Sequence, residues 1–395
     1  MTAAAGPRTS LGELARLFLK LGTVGFGGPA AHIAMMEQEV VRRRGWLSRE
    51  EFLDMIGATN LIPGPNSTEM AIHIGQARAG LPGLLVAGGC FIAPAVAIVT
   101  AVAWAYVKFG ALPVAGGILY GVKPVVIAVV LQALFGLGRT AVKGTWLAVL
   151  GVAAAAATAL GVNELAVLAA AGVLGAVRTW PRRGGSLAAP AFVLRAGTAA
   201  GGASAATRGL ARAAALAGGA GFGLWPLFAV FLKVGAVLFG SGYVLLAFLR
   251  ADLVARLHWM TERQLLDAIA VGQVTPGPVF TTATFVGYVL RGVPGAAVAT
   301  AGIFLPAFVY VAASGALLSR LRRSPTARGA LDGVNVASLA LMAVVTWQLA
   351  GSALVDPWTV VLAAAAAVAL LRYKLNASWL VLGGGLAGLV LRAAL

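Results

Sequence analysis

Two short Pro-Gly-Pro motifs set clusters of polar side chains inside apolar sequence. The first runs Asn60-Leu61-Ile62-Pro63-Gly64-Pro65-Asn66-Ser67-Thr68-Glu69-Met70, the second Gln273-Val274-Thr275-Pro276-Gly277-Pro278-Val279-Phe280-Thr281-Thr282. Proline is tolerated at the first position of a helix, where its missing N–H would lack a partner in any case. Each motif therefore reads as a chain break followed by a new helix, with Asn66–Thr68 or Phe280–Thr282 in the first turn. A helix start presents unpaired N–H donors and about half a positive charge, which suits a tetrahedral oxyanion. The hydroxyls of Ser67, Thr68, Thr281 and Thr282 add donors, and Thr275 stands just ahead of the second break. The blander reading is a proline kink whose hydroxyls cap backbone. Recurrence of a polar motif in both places favours the anion site.

Upstream of each motif lies a segment broken by glycine: Gly25-Phe26-Gly27-Gly28-Pro29 and Phe239-Gly240-Ser241-Gly242. The stretch before the first break, Leu11–Val24, falls well short of the about 20 residues that a spanning helix needs. Non-helical backbone at membrane depth survives only where protein or water satisfies its polar groups, so such a break lines a cavity. The alternative is a packing notch between close helices; two breaks at equivalent positions favour the cavity. Gly27, Gly28, Gly240, Ser241 and Gly242 join the candidate substrate site on this ground.

Charged residues near the breaks extend the list. Lys20 and Lys233 each precede a break, and two such cations would match the charge of a dianion. Equally, each lysine reads as a partner for the carbonyl end of its own half-helix. Lys123 is a third cation, with neutral Asn335 at its repeat position. Glu69 and His73 are four apart and share a helix face, which makes them candidates for proton coupling. Their counterparts are Thr282 and Val286, and mutual satisfaction of the pair is the competing reading. His32 reads as a packing or hydrogen-bonding residue, and Trp46 and Trp259 as interfacial anchors.

The elements that must position these residues are membrane helices. Of 395 residues 60% are hydrophobic and only 11% charged, and the mean hydropathy is +0.90. Apolar blocks fall near 80–107, 113–137, 145–160, 162–178, 293–318, 334–352, 357–371 and 377–394, with interrupted ones near 11–40, 52–76, 224–250 and 265–290. They imply an all-α polytopic membrane protein with roughly ten to twelve membrane segments. Continuous Ala/Val/Leu/Gly runs lack the period-two alternation of barrel strands. The formal charge of +17 sits in short loops between apolar blocks, which is the pattern of membrane orientation, so nucleic acid is not an expected partner. A single cysteine, Cys90, and three scattered histidines give no basis for a disulfide, a metal site or a cofactor. Glu13, Arg16 and Lys20 interrupt what would be the core of a cleaved signal, so the first segment is expected to remain.

The chain is also duplicated. Phe18-Leu19-Lys20-Leu21-Gly22 returns as Phe231-Leu232-Lys233-Val234-Gly235, and at the same spacing Trp46 matches Trp259 and Asp54 matches Asp267. The two Pro-Gly-Pro motifs stay in register, and after one deleted residue Gly83, Pro94 and Gly121 match Gly295, Pro306 and Gly333. The division expected is a first transmembrane domain at 1–178, a basic Gly/Ala-rich cytoplasmic linker at 179–222 and a second transmembrane domain at 223–395. Cation clusters after alternate segments of the second half, set against those of the first, favour inverted repeats with broken or re-entrant helices and the substrate site at their interface. No Walker loop, HExxH or GxSxG occurs, so no enzyme activity is expected.

Phe26-Gly-Gly-Pro29, Trp46-Leu-Ser-Arg-Glu-Glu-Phe52 and Pro63-Gly-Pro-Asn-Ser-Thr-Glu-Met-Ala-Ile-His-Ile-Gly75 resemble the CHR chromate transporter superfamily. Phe239-Gly-Ser-Gly-Tyr243 and Gln273-Val-Thr-Pro-Gly-Pro278 resemble its second-domain versions, so the chain is similar to the long, two-domain members over nearly its whole length. The resemblance implies a multi-pass protein of the bacterial inner membrane that exports chromate, driven by the proton gradient. Expected partners are chromate- or sulfate-like oxyanions, protons and the lipid bilayer, with a homodimer left open. A sulfate carrier, a passive anion channel, and an intramembrane enzyme or scaffold are the competing readings.

Overall fold

The computed structural model describes residues 9–26, 28–110, 112–180, 223–239, 242–314, 324–373 and 375–394. In the first half, α1 (Leu11–Val24) precedes the glycine break, α2 (Gly28–Glu37) runs on through a π turn at Gln38–Arg43, and α3 (Arg49–Thr59) leads to the Pro-Gly-Pro motif. Then come α4 (Asn66–Phe109), α5 (Pro113–Ala141), α6 (Thr145–Ala159) and α7 (Glu164–Arg178). The second half repeats the order with α8 (Leu224–Val237), a short α9 (Leu245–Leu249) with its π turn at Arg250–Arg256, α10 (Glu262–Val274) and α11 (Thr282–Ala313). It closes with α12 (Pro325–Ala353), α13 (Pro357–Tyr373) and α14 (Ala377–Ala394). Even the caps recur: Ser48 with Glu51 opens α3, and Thr261 with Gln264 opens α10, each as a reciprocal capping box.

Neither α4 nor α11 is one straight rod. Ala79 and Gly80 leave helical geometry (φ −144°, ψ 22° and φ 63°, ψ −149°), as do Arg291 and Gly292 (φ −146°, ψ 20° and φ 61°, ψ −151°). Only glycine enters the positive-φ conformation at little cost, which accounts for Gly80 and Gly292. A side chain on Gly75 would run into the backbone of Gly83, although residues eight apart on a straight helix stand about 12 Å apart. The chain therefore reverses at Ala79-Gly80, and Gly287 with Gly295 makes the same close approach in the second half. Each motif thus opens a short inner leg that turns back into a long one. Ser67, Thr68, Glu69, Met70, Ala71, Ile72 and Ile74 on the first inner leg are all buried.

Four helices, Asn66–Phe109, Pro113–Ala141, Val279–Ala313 and Pro325–Ala353, are long and apolar enough to cross a membrane. Thr145–Ala159, Leu224–Val237, Pro357–Tyr373 and Ala377–Ala393 are apolar but shorter. The apolar blocks in the sequence outnumber the full-length spans because several helices stop near 15 residues, about 22 Å of rise. Large apolar side chains such as Val152, Leu160, Trp347 and Leu386 face outward, as a lipid-facing surface requires.

The halves are interlocked. Within each half the first helix packs on the long one, α1 on α4 and α8 on α11, while α5 packs on α13 and α14 and α12 packs on α6 and α7. Glycine lets the backbones close up at these crossings, Gly121 against Gly384 and Gly175 against Gly329. At the centre the Gly64 N–H donates to the Leu238 carbonyl (2.8 Å), and the Gly277 N–H donates to the Gly25 carbonyl (2.8 Å). Each Pro-Gly-Pro motif is thereby tied to the broken helix of the opposite half.

Candidate functional site

A cavity of about 550 Å³ opens where the two motifs meet. Asn60, Pro65, Asn66 and Ser67 line it from the first half, and Pro278, Val279 and Phe280 from the second. The glycine breaks contribute Pro29, Ala30, Gly242 and Val244. Two further walls come from α5, with Gln132, Gly136 and Thr140, and from α12, with Asn335 and Ser338. Lys143 and Asp332, which also line the cavity, form an ion pair of 2.7 Å between these last two walls. The helix start at Asn66 therefore faces a roomy, partly polar space.

The sequence-predicted residues divide into groups. Asn66, Ser67 and Gly242 line the cavity, and the Asn66 amide donates to Asn60 Oδ1 at 2.9 Å. Gly28 starts α2 beside the cavity-lining Pro29. Thr68 is fully buried on the inner leg, and its hydroxyl has no partner among the described residues. The hydroxyls of Thr275, Thr281 and Thr282 donate to the carbonyls of Val271, Pro278 and Val279 at 2.7 to 2.8 Å. Those three cap their own backbone, so the second motif offers backbone rather than hydroxyls. Gly27, Gly240 and Ser241, with most of the 179–222 linker, lie outside the described residues.

Neither Lys20 nor Lys233 lines the cavity. Lys20 pairs with Glu39 at 2.9 Å, and Lys233 pairs with the fully buried Asp252. Arg43 joins Glu39 at 3.0 Å and Arg256 joins Asp252 at 2.6 Å, so one Lys-acid-Arg cluster recurs in both halves. The acids are what the sequence reading missed. Their signal was present, since Glu39 and Asp252 stand at equivalent repeat positions, each four residues before an arginine. Lys123 also has a carboxylate: Asp267 lies at 3.1 Å and accepts from the Tyr106 hydroxyl at 2.9 Å.

Glu69 and His73 do not satisfy one another. Both Glu69 carboxylate oxygens and His73 Nε2 are buried without a hydrogen-bond partner among the described residues. Glu69 Oε1 instead sits against Gly64, where any side chain would collide with it. His32 bonds the Gly25 carbonyl at 2.8 Å and meets Phe91 edge to face, which fixes the turn at the first break. Trp46 lies under the guanidinium groups of Arg44 and Arg78.

The sequence pattern of the family described as chromate transporter matches residues 12–176 and again 225–389. A chromate transport protein of Cupriavidus metallidurans is 34% identical over 397 residues, covering 97% of this chain and 94% of the relative. A chromate transport protein of Pseudomonas aeruginosa is 32% identical over 394 residues, covering 98% of this chain and 94% of the relative. No solved structure matches. With its two homologous all-helical halves, the chain belongs to the chromate transporter family, a family of multi-pass membrane proteins.

Proposed function

We propose that this protein is a secondary active transporter that exports chromate, or a closely related oxyanion, across the inner membrane in exchange for protons. The observation that carries the reading is the cavity on which both Pro-Gly-Pro motifs converge. The helix start at Asn66 turns N–H donors and partial positive charge toward that space, with the Ser67 side chain beside them. The dianion sits there, between domain 1–178 and domain 223–395, and the 179–222 linker stays in the cytoplasm.

Antiparallel halves fit this scheme. Tyr106, near the end of α4, packs on Phe285, near the start of α11, with ring centroids 5.1 Å apart. Gly88, earlier in α4, lies against Phe308, near the end of α11. Contacts that run in opposite directions along equivalent helices support an inverted repeat, and movement of one half against the other then alternates access to the interface.

Glu69 supplies the proton site. It is a buried carboxyl without a hydrogen-bond partner among the described residues, on the helix whose first turn lines the cavity. Binding of the dianion and of a proton are coupled through that one short helix, with His73 one turn further on.

Uptake of labelled chromate into inverted membrane vesicles, with and without an imposed pH gradient, tests the reading. Saturable uptake that rises with the gradient is expected, and Glu69→Gln should remove the gradient's effect while leaving chromate exchange at equilibrium. Non-saturable flux indifferent to the gradient would mean a passive channel. Stronger competition by sulfate than by unlabelled chromate would make sulfate the substrate.

A further inference from the structure

We infer that the anion is held against a wall of neutral hydrogen-bond donors, Gln132 on α5 with Asn335 and Ser338 on α12, and that this wall sets the anion selectivity. The inference rests on the transport reading above and extends it to two helices that carry neither Pro-Gly-Pro motif.

Ser338 is the starting point. It lines the cavity, is only 2% exposed, and its hydroxyl has no hydrogen-bond partner among the described residues. A helical serine ordinarily returns its proton to the carbonyl one turn back, as Thr346 does to Met342 on the same helix. Leaving a buried hydroxyl unpaired costs about 1–3 kcal/mol, so such a group calls for an explanation. Asn335 lies one turn before Ser338, and Gln132 faces the same space from α5. Together they offer two side-chain amides and a hydroxyl opposite the helix start at Asn66.

Charge narrows the class of ligand. Among the described residues, the ionisable side chains that line the cavity are Lys143 and Asp332, and they neutralise one another. Lys20, Lys123 and Lys233 are each held by a carboxylate elsewhere. The anion is therefore met by N–H and O–H dipoles, which suits a fully deprotonated tetrahedral dianion that only accepts hydrogen bonds. Hydrogen phosphate also donates, and Asp332, the carboxylate at the cavity among the described residues, is engaged by Lys143. Repetition does not produce this wall, because the equivalents of Gln132, Asn335 and Ser338 are Val344, Lys123 and Val126.

Initial rates of chromate uptake by the full-length chain in vesicles, at varied chromate and equal protein level, test the assignment. Asn335→Asp keeps the side-chain shape but presents negative charge, and should raise the half-saturating chromate concentration by at least about tenfold. Ser338→Ala should raise it severalfold with the maximal rate little changed, and Ser338→Thr should restore it. Excess sulfate should compete with chromate in the unaltered protein and phosphate should not. Unchanged half-saturation in both Asn335→Asp and Ser338→Ala, a loss confined to maximal rate, or competition by phosphate equal to that by sulfate would overturn the inference. If Asn335→Asp fails to accumulate in the membrane, Ser338→Ala and its rescue decide alone. Absence of uptake by the unaltered protein would sink the transport reading instead.

Discussion

The cavity invites comparison with the repeat-equivalent place in the molecule, where side chains pair with one another. Its walls are the C-terminal half of α5 and the N-terminal half of α12. Exchanging the halves leads to the contact between the C-terminal half of α12 and the N-terminal half of α5. There, Lys123 from α5 pairs with Asp267 from α10, and Tyr106 from α4 donates to the same carboxylate. Nearby, Ser352 of α12 donates to Glu262 at 2.7 Å, and Arg250 pairs with that same acid. On the cavity side the matching positions hold Asn335 where Lys123 stands and Arg49 where Glu262 stands. The duplication supplies two equivalent backbones; a few non-repeated polar side chains decide which side is open. In an alternating transporter the closed side must open in turn, so the Lys123–Asp267 pair is where the comparison breaks first.

The largest effect should follow from removing one member of that pair. Lys123→Met leaves the buried Asp267 with the Tyr106 hydroxyl and the charge of Arg263 but without its ion-pair partner, and stranding a buried charge costs about 3 kcal/mol or more. The closed arrangement carries that cost, so this contact should open to water. With Cys90→Ser as background, Ser338→Cys should react with a water-soluble maleimide and Val126→Cys, at the equivalent position, should not. Adding Lys123→Met should make Val126→Cys reactive, and adding Asp267→Asn as well should return much of its protection. Equal reactivity of the two cysteines in the otherwise unaltered chain would erase the asymmetry.

A symmetric feature gives the control. Gly80 and Gly292 turn the two hairpins with φ of 63° and 61°, and nothing lies within 4 Å of a side chain added at either. Strain alone is at issue there, not space. Gly80→Ala and Gly292→Ala should each lower stability by about 1–3 kcal/mol, by similar amounts, read as equal falls in melting midpoint in detergent. A difference between them larger than the fall itself would show that the halves do not share one hairpin geometry.

The parts visible in the sequence were those that repeat or that break a helix. Pro63-Gly64-Pro65 and Pro276-Gly277-Pro278 announced helix starts, and the structure opens α4 at Asn66 and α11 just after a 3-10 turn at Val279–Thr281. Apolar blocks ending at 76 and resuming at 80 marked the ends of two legs, but hydropathy does not report that a chain doubles back. Partner choice was less legible still. Lys20 and Glu39 are 19 residues apart, and Lys123 and Asp267 belong to different halves, so no local spacing joins them. Gln132, Asn335 and Ser338 are ordinary polar residues on long helices, and only the exchange of α5 and α12 between halves brings them to one space. Threonine hydroxyls misled for a related reason. Thr281 and Thr282 stand in a turn tight enough for their hydroxyls to reach the carbonyls three residues back.

The smallest effect concerns the rim of the closed side, where the Tyr120 hydroxyl of α5 donates to Asp356 Oδ2 at 2.6 Å, just before α13. That hydrogen bond, with one from the Thr359 backbone N–H, holds the Asp356 carboxyl below the usual carboxylate range. A carboxyl whose pKa is lowered by folding stabilises the fold fully above its ordinary pKa, and the contribution is lost as pH falls through the lowered value. Tyr120→Phe should therefore lower the melting midpoint slightly at neutral pH, and the gap should narrow as the solution is acidified below the usual carboxylate range. Lys143→Met removes the ion pair with Asp332 on the cavity side, and its effect should instead be weakened by salt, because that pair is exposed. If Tyr120→Phe shows a gap that is constant with pH, the hydroxyl acts there by packing alone, and the two rims are held together by less different means than their residues imply.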